Sequence, residues 1–256
     1  MKSFQARRTR PALAVALLCG FLVVGPAALA GEWKWELTPY LWGSDVSLDA
    51  TVNDSLVAST TVDVSDLVDK LDIGGLIHFE GHRGRAGFFL EANYYEFSDD
   101  KTILNFPPIT DGTVVHSELD LLIGEAGGLY KIVGEDGRLD VLFGVRVFDT
   151  GLDLDFDSDP MLGRDETILD GFVGLRHRSE LSERWTWWGR IDAGTGDTEL
   201  SWQAILGVGF KLGRSKQNAL VLAYRHLAFE FEGGSTGIIG VDLELSGPLL
   251  GFRFGF

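Results

Sequence analysis

The chain has 256 residues, with 38 Asp and Glu against 22 Lys and Arg, a formal charge of −16 at pH 7. Such acidity argues against nucleic acid or anionic phosphate ligands as partners, because neutralising phosphate takes a surplus of Lys and Arg. One cysteine excludes a disulfide framework, whereas 33 glycines and seven tryptophans suit a fold rich in tight turns and interfacial aromatics.

Lys2, Arg7, Arg8 and Arg10 precede an apolar run over residues 11–24, a Gly25-Pro26 break and the small-residue site Ala28-Leu29-Ala30. This is the pattern of a secretory signal peptide over residues 1–30, cleaved before Gly31, with residues 31–256 as one barrel domain. A single anchoring helix is the alternative, but the run is short for a span and is broken by Gly25-Pro26. Cys19 follows Leu18, where lipoprotein processing wants a small residue, so no lipid anchor is expected. Losing four cations with the signal takes the charge from −16 to −20.

Beyond residue 30 no apolar stretch approaches the roughly 18 residues of a spanning helix, so a membrane location requires strands. Trp33, Trp35, Leu37, Pro39 and Leu41 alternate with Lys34, Glu36, Thr38 and Tyr40. Ile73, Ile77 and Phe79 oppose His78, Glu80 and His82, and Phe88, Leu90, Ala92 and Tyr94 oppose Glu91, Asn93 and Tyr95. A strand places successive side chains on opposite faces, so one face meets lipid and the other the lumen. Strands are predicted at 32–48, 72–83, 87–97, 114–132, 138–156, 167–179, 185–194, 199–212, 219–231 and 239–256. The fold class is all-β: a single up-and-down antiparallel transmembrane barrel of about ten strands, with eight or twelve as alternatives.

Short turns fall at 83–86, 134–137, 181–184 and 213–218, and the other connections are longer and more polar, which puts the turns in the periplasm. Residues 49–64 read as an extracellular hairpin turning at Asn53-Asp54, and 65–71 as a Ser-capped helical turn. Aromatics divide into two girdles. Trp33, Trp35, Tyr130, Trp185, Trp187, Phe210, Phe254 and Phe256 lie by the turns, and Trp42, Tyr94, Phe97, Trp202 and Phe229 at the far strand ends.

The chain finishes on Phe252, Phe254 and Phe256, one face of a closing strand. Together with Thr38-Pro39-Tyr40-Leu41-Trp42, Val64 to Leu71, Gly144-Val145-Arg146, Asp170 to Arg176, Ser201-Trp202-Gln203-Ala204, Ala223-Tyr224-Arg225 and Gly247-Pro248-Leu249-Leu250-Gly251, this resembles a family of small, largely uncharacterised proteobacterial outer-membrane β-barrel proteins. The resemblance implies a monomer in the cell outer membrane, inserted by the barrel assembly machinery that reads the terminal aromatic, and surrounded by lipid and lipopolysaccharide. It implies no catalytic residue, metal or cofactor.

Taking the polar parity as inward, the lumen holds His78, Glu80, His82, Glu91, Asn93, His116, Glu118, Asp120, Asp140, Arg146, Asp170, Arg176, Arg190, Asp192 and Arg225. Two readings stay open: a structural charge network filling the barrel, or a narrow passive channel for small solutes lined by the same groups. Arg146, Arg176, Arg190 and Arg225 are expected to pair with carboxylates such as Asp140, Glu118, Asp170 and Asp192, because lipid-facing arginine costs about 2–4 kcal/mol. An enzyme acting on membrane lipids is the rival class, but His116 and Ser117 are strand neighbours pointing to opposite faces and cannot form a dyad. His78, Glu80 and His82 share a parity that a metal would accept and a polar lumen equally explains. The acidic run 153–159 lacks the glycine and distal glutamate of an EF-hand loop, leaving a solvated face or weak cation bridging to lipopolysaccharide.

Overall fold

The computed structural model describes residues 31–256 apart from 53–54, 63–64, 66–70, 104–112, 134–137, 157–158 and 234–238. The signal peptide expected over 1–30, the helical turn expected over 65–71 and the tight turn expected at 134–137 therefore lie wholly or mostly outside the described residues. The strands are β1 (Lys34–Trp42), β2 (Asp45–Val52), β3 (Ser55–Val62), β4 (Leu71–Arg83), β5 (Ala86–Ile103), β6 (Thr113–Val133), β7 (Arg138–Phe156), β8 (Asp159–Glu180), β9 (Trp185–Gly196), β10 (Leu200–Leu212), β11 (Asn218–Gly233) and β12 (Ile239–Gly255).

Each strand from β4 to β12 pairs antiparallel with the next, β1 pairs with β4, and β12 pairs back onto β1, so ten strands form a closed ring. Closure reaches the last residue, where Trp35 N donates to Phe256 O at 2.9 Å and Phe256 N to Trp35 O at 3.0 Å. Hydrocarbon offers no partner for a free sheet edge, and this ring leaves none. β2 prolongs β1 along β12 after a break at Gly43-Ser44. There the backbones approach so closely that a Cβ on Gly247 would sit 1.8 Å from Gly43 O. β3 folds back on β2, so the hairpin expected over 49–64 forms, with its first strand starting at Asp45. The β4-β5 connection is two residues, Gly84-Arg85, with Gly84 at φ 61°.

A soluble protein seldom lines its outside with aliphatic side chains while burying arginines; this barrel does both. Leu41, Ile77, Leu90, Val145, Val173, Ile191, Leu206, Leu222 and Leu250 are exposed on the outer face, while Arg146 and Arg225 are 1% and 0% exposed inside. That inversion, with closure, makes it a transmembrane barrel of the cell outer membrane. At the turn end Trp33 stacks on Trp35 at 5.0 Å, Trp185 packs on Phe210 at 4.9 Å and Phe252 on Phe254 at 4.6 Å, forming the expected interfacial girdle. Two residues expected in the opposite girdle are not there. Trp42 and Phe229 are buried in the lumen, because each shares the parity of inward neighbours, Tyr40 and Arg225.

β5 to β8 run 18, 21, 19 and 22 residues, about twice the 9–11 that cross a bilayer, so their loop-side halves rise above the membrane. Beyond the bilayer the outward face no longer has to be apolar, so polarity alone stops reporting the inward side.

Candidate functional site

The inward positions of the ring carry two charge clusters, one above the other. In the upper cluster Glu125 on β6 accepts from Arg146 Nε at 2.9 Å, Arg190 Nη2 at 2.8 Å and Gln203 Nε2 at 2.7 Å, with Arg225 Nη2 at 3.5 Å. Arg146 and Arg190 also share Asp192, at 2.5 and 2.7 Å, and Arg225 Nη1 donates to Glu91 at 2.5 Å. The guanidinium planes lie on rings: Arg225 over Trp42 at 4.7 Å, Arg146 over Phe172 and Arg190 over Phe89, both at 5.1 Å.

In the lower cluster, nearer the turns, Arg176 grips Glu80 with both Nη atoms at 2.5 and 3.0 Å and also donates to Asp140 at 2.9 Å. Arg138 Nε donates to Asp140 at 2.7 Å, and Arg178 Nη1 to both Glu36 oxygens at 3.1 and 3.2 Å. His78 joins the clusters, with Nδ1 3.0 Å from Glu91 and Nε2 3.7 Å from Glu80. Buried forks of this kind are satisfied only as complete sets, since removing one partner strands the other.

Apolar layers bracket these charges. Phe89, Leu129, Leu142 and Phe172 form one buried cluster. On β7 and β8 its members Leu142 and Phe172 stand between Asp140 and Arg146 and between Arg176 and Asp170. On the loop side, Ile123, Phe148, Ile168 and Leu227 each follow an inward charged residue by one inward position, and pack with Trp42, Phe229 and Leu245. Phe148 and Phe229 rings meet at 5.2 Å. Towards the turns a cavity of about 90 Å³ opens beneath Tyr40, Arg190 and Arg225, with Glu36, Arg178 and Arg253 lining it lower down.

Of the residues expected in the lumen, His78, Glu80, Glu91, Asn93, Asp140, Arg146, Asp170, Arg176, Arg190, Asp192 and Arg225 are inward and brought together or nearly so, and His82 Nδ1 lies 3.6 Å from Glu80. The two histidines turn their nitrogens to carboxylates rather than to a shared point. Asp120 is a correction: it lies on the outer face, where Tyr94 Oη donates to Asp120 at 3.3 Å and to Glu96 at 3.3 Å. Its polarity belongs to the part of β6 above the membrane. His116, Glu118 and the acidic run 153–159 have side chains outside the described residues. Asp170 is inward but bound by Thr198, whose N and Oγ1 donate to it at 3.1 and 2.6 Å, and no arginine pairs with it among the described residues. Phe252, Phe254 and Phe256 face outward, Phe256 being exposed.

Glu125, the hub, was not among the expected residues, nor were Gln203, Glu36, Arg178 and Arg253. In residues 123–133, the part of β6 next to the turn, the even positions Gly124, Ala126, Gly128, Tyr130 and Ile132 carry no charge, and that stretch alone assigns Glu125 inward.

No family model and no curated protein matches the chain. Among solved structures it is similar to the outer membrane protease OmpT of Escherichia coli, with 8% identity, TM-score 0.46, and 88% of this chain and 96% of that one covered. The translocator domain of the autotransporter NalP of Neisseria meningitidis gives 12%, 0.43, 88% and 88%. The outer membrane protein OprG of Pseudomonas aeruginosa gives 14%, 0.35, 90% and 98%.

Proposed function

We propose that this is a closed structural barrel, neither pore nor enzyme, whose loop end meets lipopolysaccharide or other surface ligands. The observation that carries the reading is the layered lumen, in which buried ion pairs lie beneath the apolar layer of Trp42, Ile123, Phe148, Leu227 and Phe229. A passive channel needs a continuous wet path, and an apolar constriction resists hydrated solutes by dewetting. Against lipid chemistry weighs the use of Glu80, Glu91, Glu125, Asp140 and Asp192 as arginine partners, which leaves none of these carboxylates poised as a general base. Closure without an edge supports a monomer, and the order of the sequence motifs supports a place among proteobacterial barrels inserted by the assembly machinery.

The test pairs proteoliposome swelling in small sugars and amino acids with mass spectrometry of lipids from cells expressing the protein. The expected result is no swelling and an unchanged lipid profile. Solute-dependent swelling overturns the reading in favour of a channel, and altered lipid A or phospholipid in favour of an enzyme.

A further inference from the structure

We infer that the turn end of the lumen is a pocket for a small free oxyanion of the phosphate or sulfate type, held by Arg178 and Arg253. In the upper cluster Arg146, Arg190 and Arg225 are matched by Glu91, Glu125 and Asp192. In the lower cluster Arg138, Arg176, Arg178 and Arg253 have, among the described residues, the carboxylates Glu36, Glu80 and Asp140, and Arg138 and Arg176 take up Glu80 and Asp140. Arg178 and Arg253 are left to share Glu36.

They do not share it equally. Arg178 makes the hydrogen bonds, whereas Arg253 Nη1 stays 3.8 Å from Glu36 and makes no hydrogen bond among the described residues. The Nε atoms of Arg178 and Arg253 are buried without acceptors, and so is Nε of the fully buried Arg225 lining the same cavity. A guanidinium offers five donors in a planar fork and cannot shed its proton, and no acceptor for these Nε atoms is found among the described residues, which leaves the place open to a bound ligand. Water would satisfy the donors without balancing the charge. The cavity of about 90 Å³ has room for a few waters at roughly 10–15 Å³ each, or for one small tetrahedral oxyanion that two arginine forks suit.

The acidity of the whole chain repels anions from its surface, so this locally cationic recess is an exception made by burial. A dead-end pocket also needs no through-pore, so the oxyanion is bound whether or not the lumen conducts.

The experiment is isothermal titration of the purified, detergent-folded protein with inorganic phosphate and, separately, with sulfate. Saturable one-site binding is expected. Arg253→Gln should weaken it at least tenfold, while Glu36→Gln should tighten it by removing the competing carboxylate, a direction that damage to the fold does not produce. Lys216→Gln, at an exposed turn, should leave it unchanged, and heat-modifiable mobility checks that every variant is folded. Phosphatidylglycerol in the micelle should not compete, because the pocket lies inside the barrel; competition would overturn the assignment to a free oxyanion. Absence of saturable binding, or equal binding in wild type, Arg253→Gln and Glu36→Gln, would overturn the site altogether.

Discussion

Replacing Glu125 by alanine removes the acceptor that Arg146, Arg190 and Gln203 use at 2.7 to 2.9 Å. Asp192 and Glu91 remain, but they would then serve Arg146, Arg190 and Arg225 alone, in a lumen where Arg146 and Arg225 have almost no exposure. Breaking a buried ion-pair set in this way costs roughly 3–5 kcal/mol, several times the value of an exposed pair. At a urea slope of about 2–3 kcal/mol per molar, the unfolding midpoint should fall by on the order of 1–2.5 M. Tryptophan fluorescence of the detergent-folded barrel reads that midpoint. Glu125→Gln keeps one acceptor oxygen and should lose less. Lys216→Gln, which breaks a pair with the fully exposed Glu183, should lose nothing measurable. An unchanged midpoint in Glu125→Ala would refute the reasoning, because it would mean that water solvates the lumen arginines.

Phe229→Ala should destabilise by about 3–5 kcal/mol in the same assay, since its ring is 1% exposed and packs on Phe148; a loss near zero would show the layer to be loose. Asp170→Asn should cost about 1–2 kcal/mol and speed amide exchange at Thr198 with little effect elsewhere, because its described hydrogen bonds both go to Thr198. Phe256→Asp should reduce membrane insertion more than Phe210→Asp does, although one ring buried in lipid is worth roughly 1.5–3 kcal/mol at either place; equal surface levels would remove any special role for the terminal ring.

How much of this was legible in the sequence follows from where each residue sits. β7 spans Arg138–Phe156, the limits that its alternation predicted, and the inward Arg146, Arg176, Arg190 and Arg225 follow from the cost of arginine in lipid. Parity misled on β6, where His116, Glu118 and Asp120 suggested that even positions face inward. That part of the strand stands clear of the bilayer, and one reversed parity both admitted Asp120 and hid Glu125. Trp42 and Phe229 misled because a tryptophan or phenylalanine at a strand end suits an interfacial girdle as well as a plug, and only parity separates them. The partner choice of Asp170 depends on the return of residues 197–199 over β8, a tertiary contact with no local signal.

Current through single barrels in a planar bilayer measures most directly whether the lumen is sealed. The purified protein is expected to pass no resolvable current at 100 mV in molar salt, while the Phe148→Ala/Phe229→Ala variant, with two rings removed from the loop-side layer, should show discrete openings. Steady ohmic conductance from the unaltered protein would contradict the sealed lumen and make the charge clusters the lining of a pore.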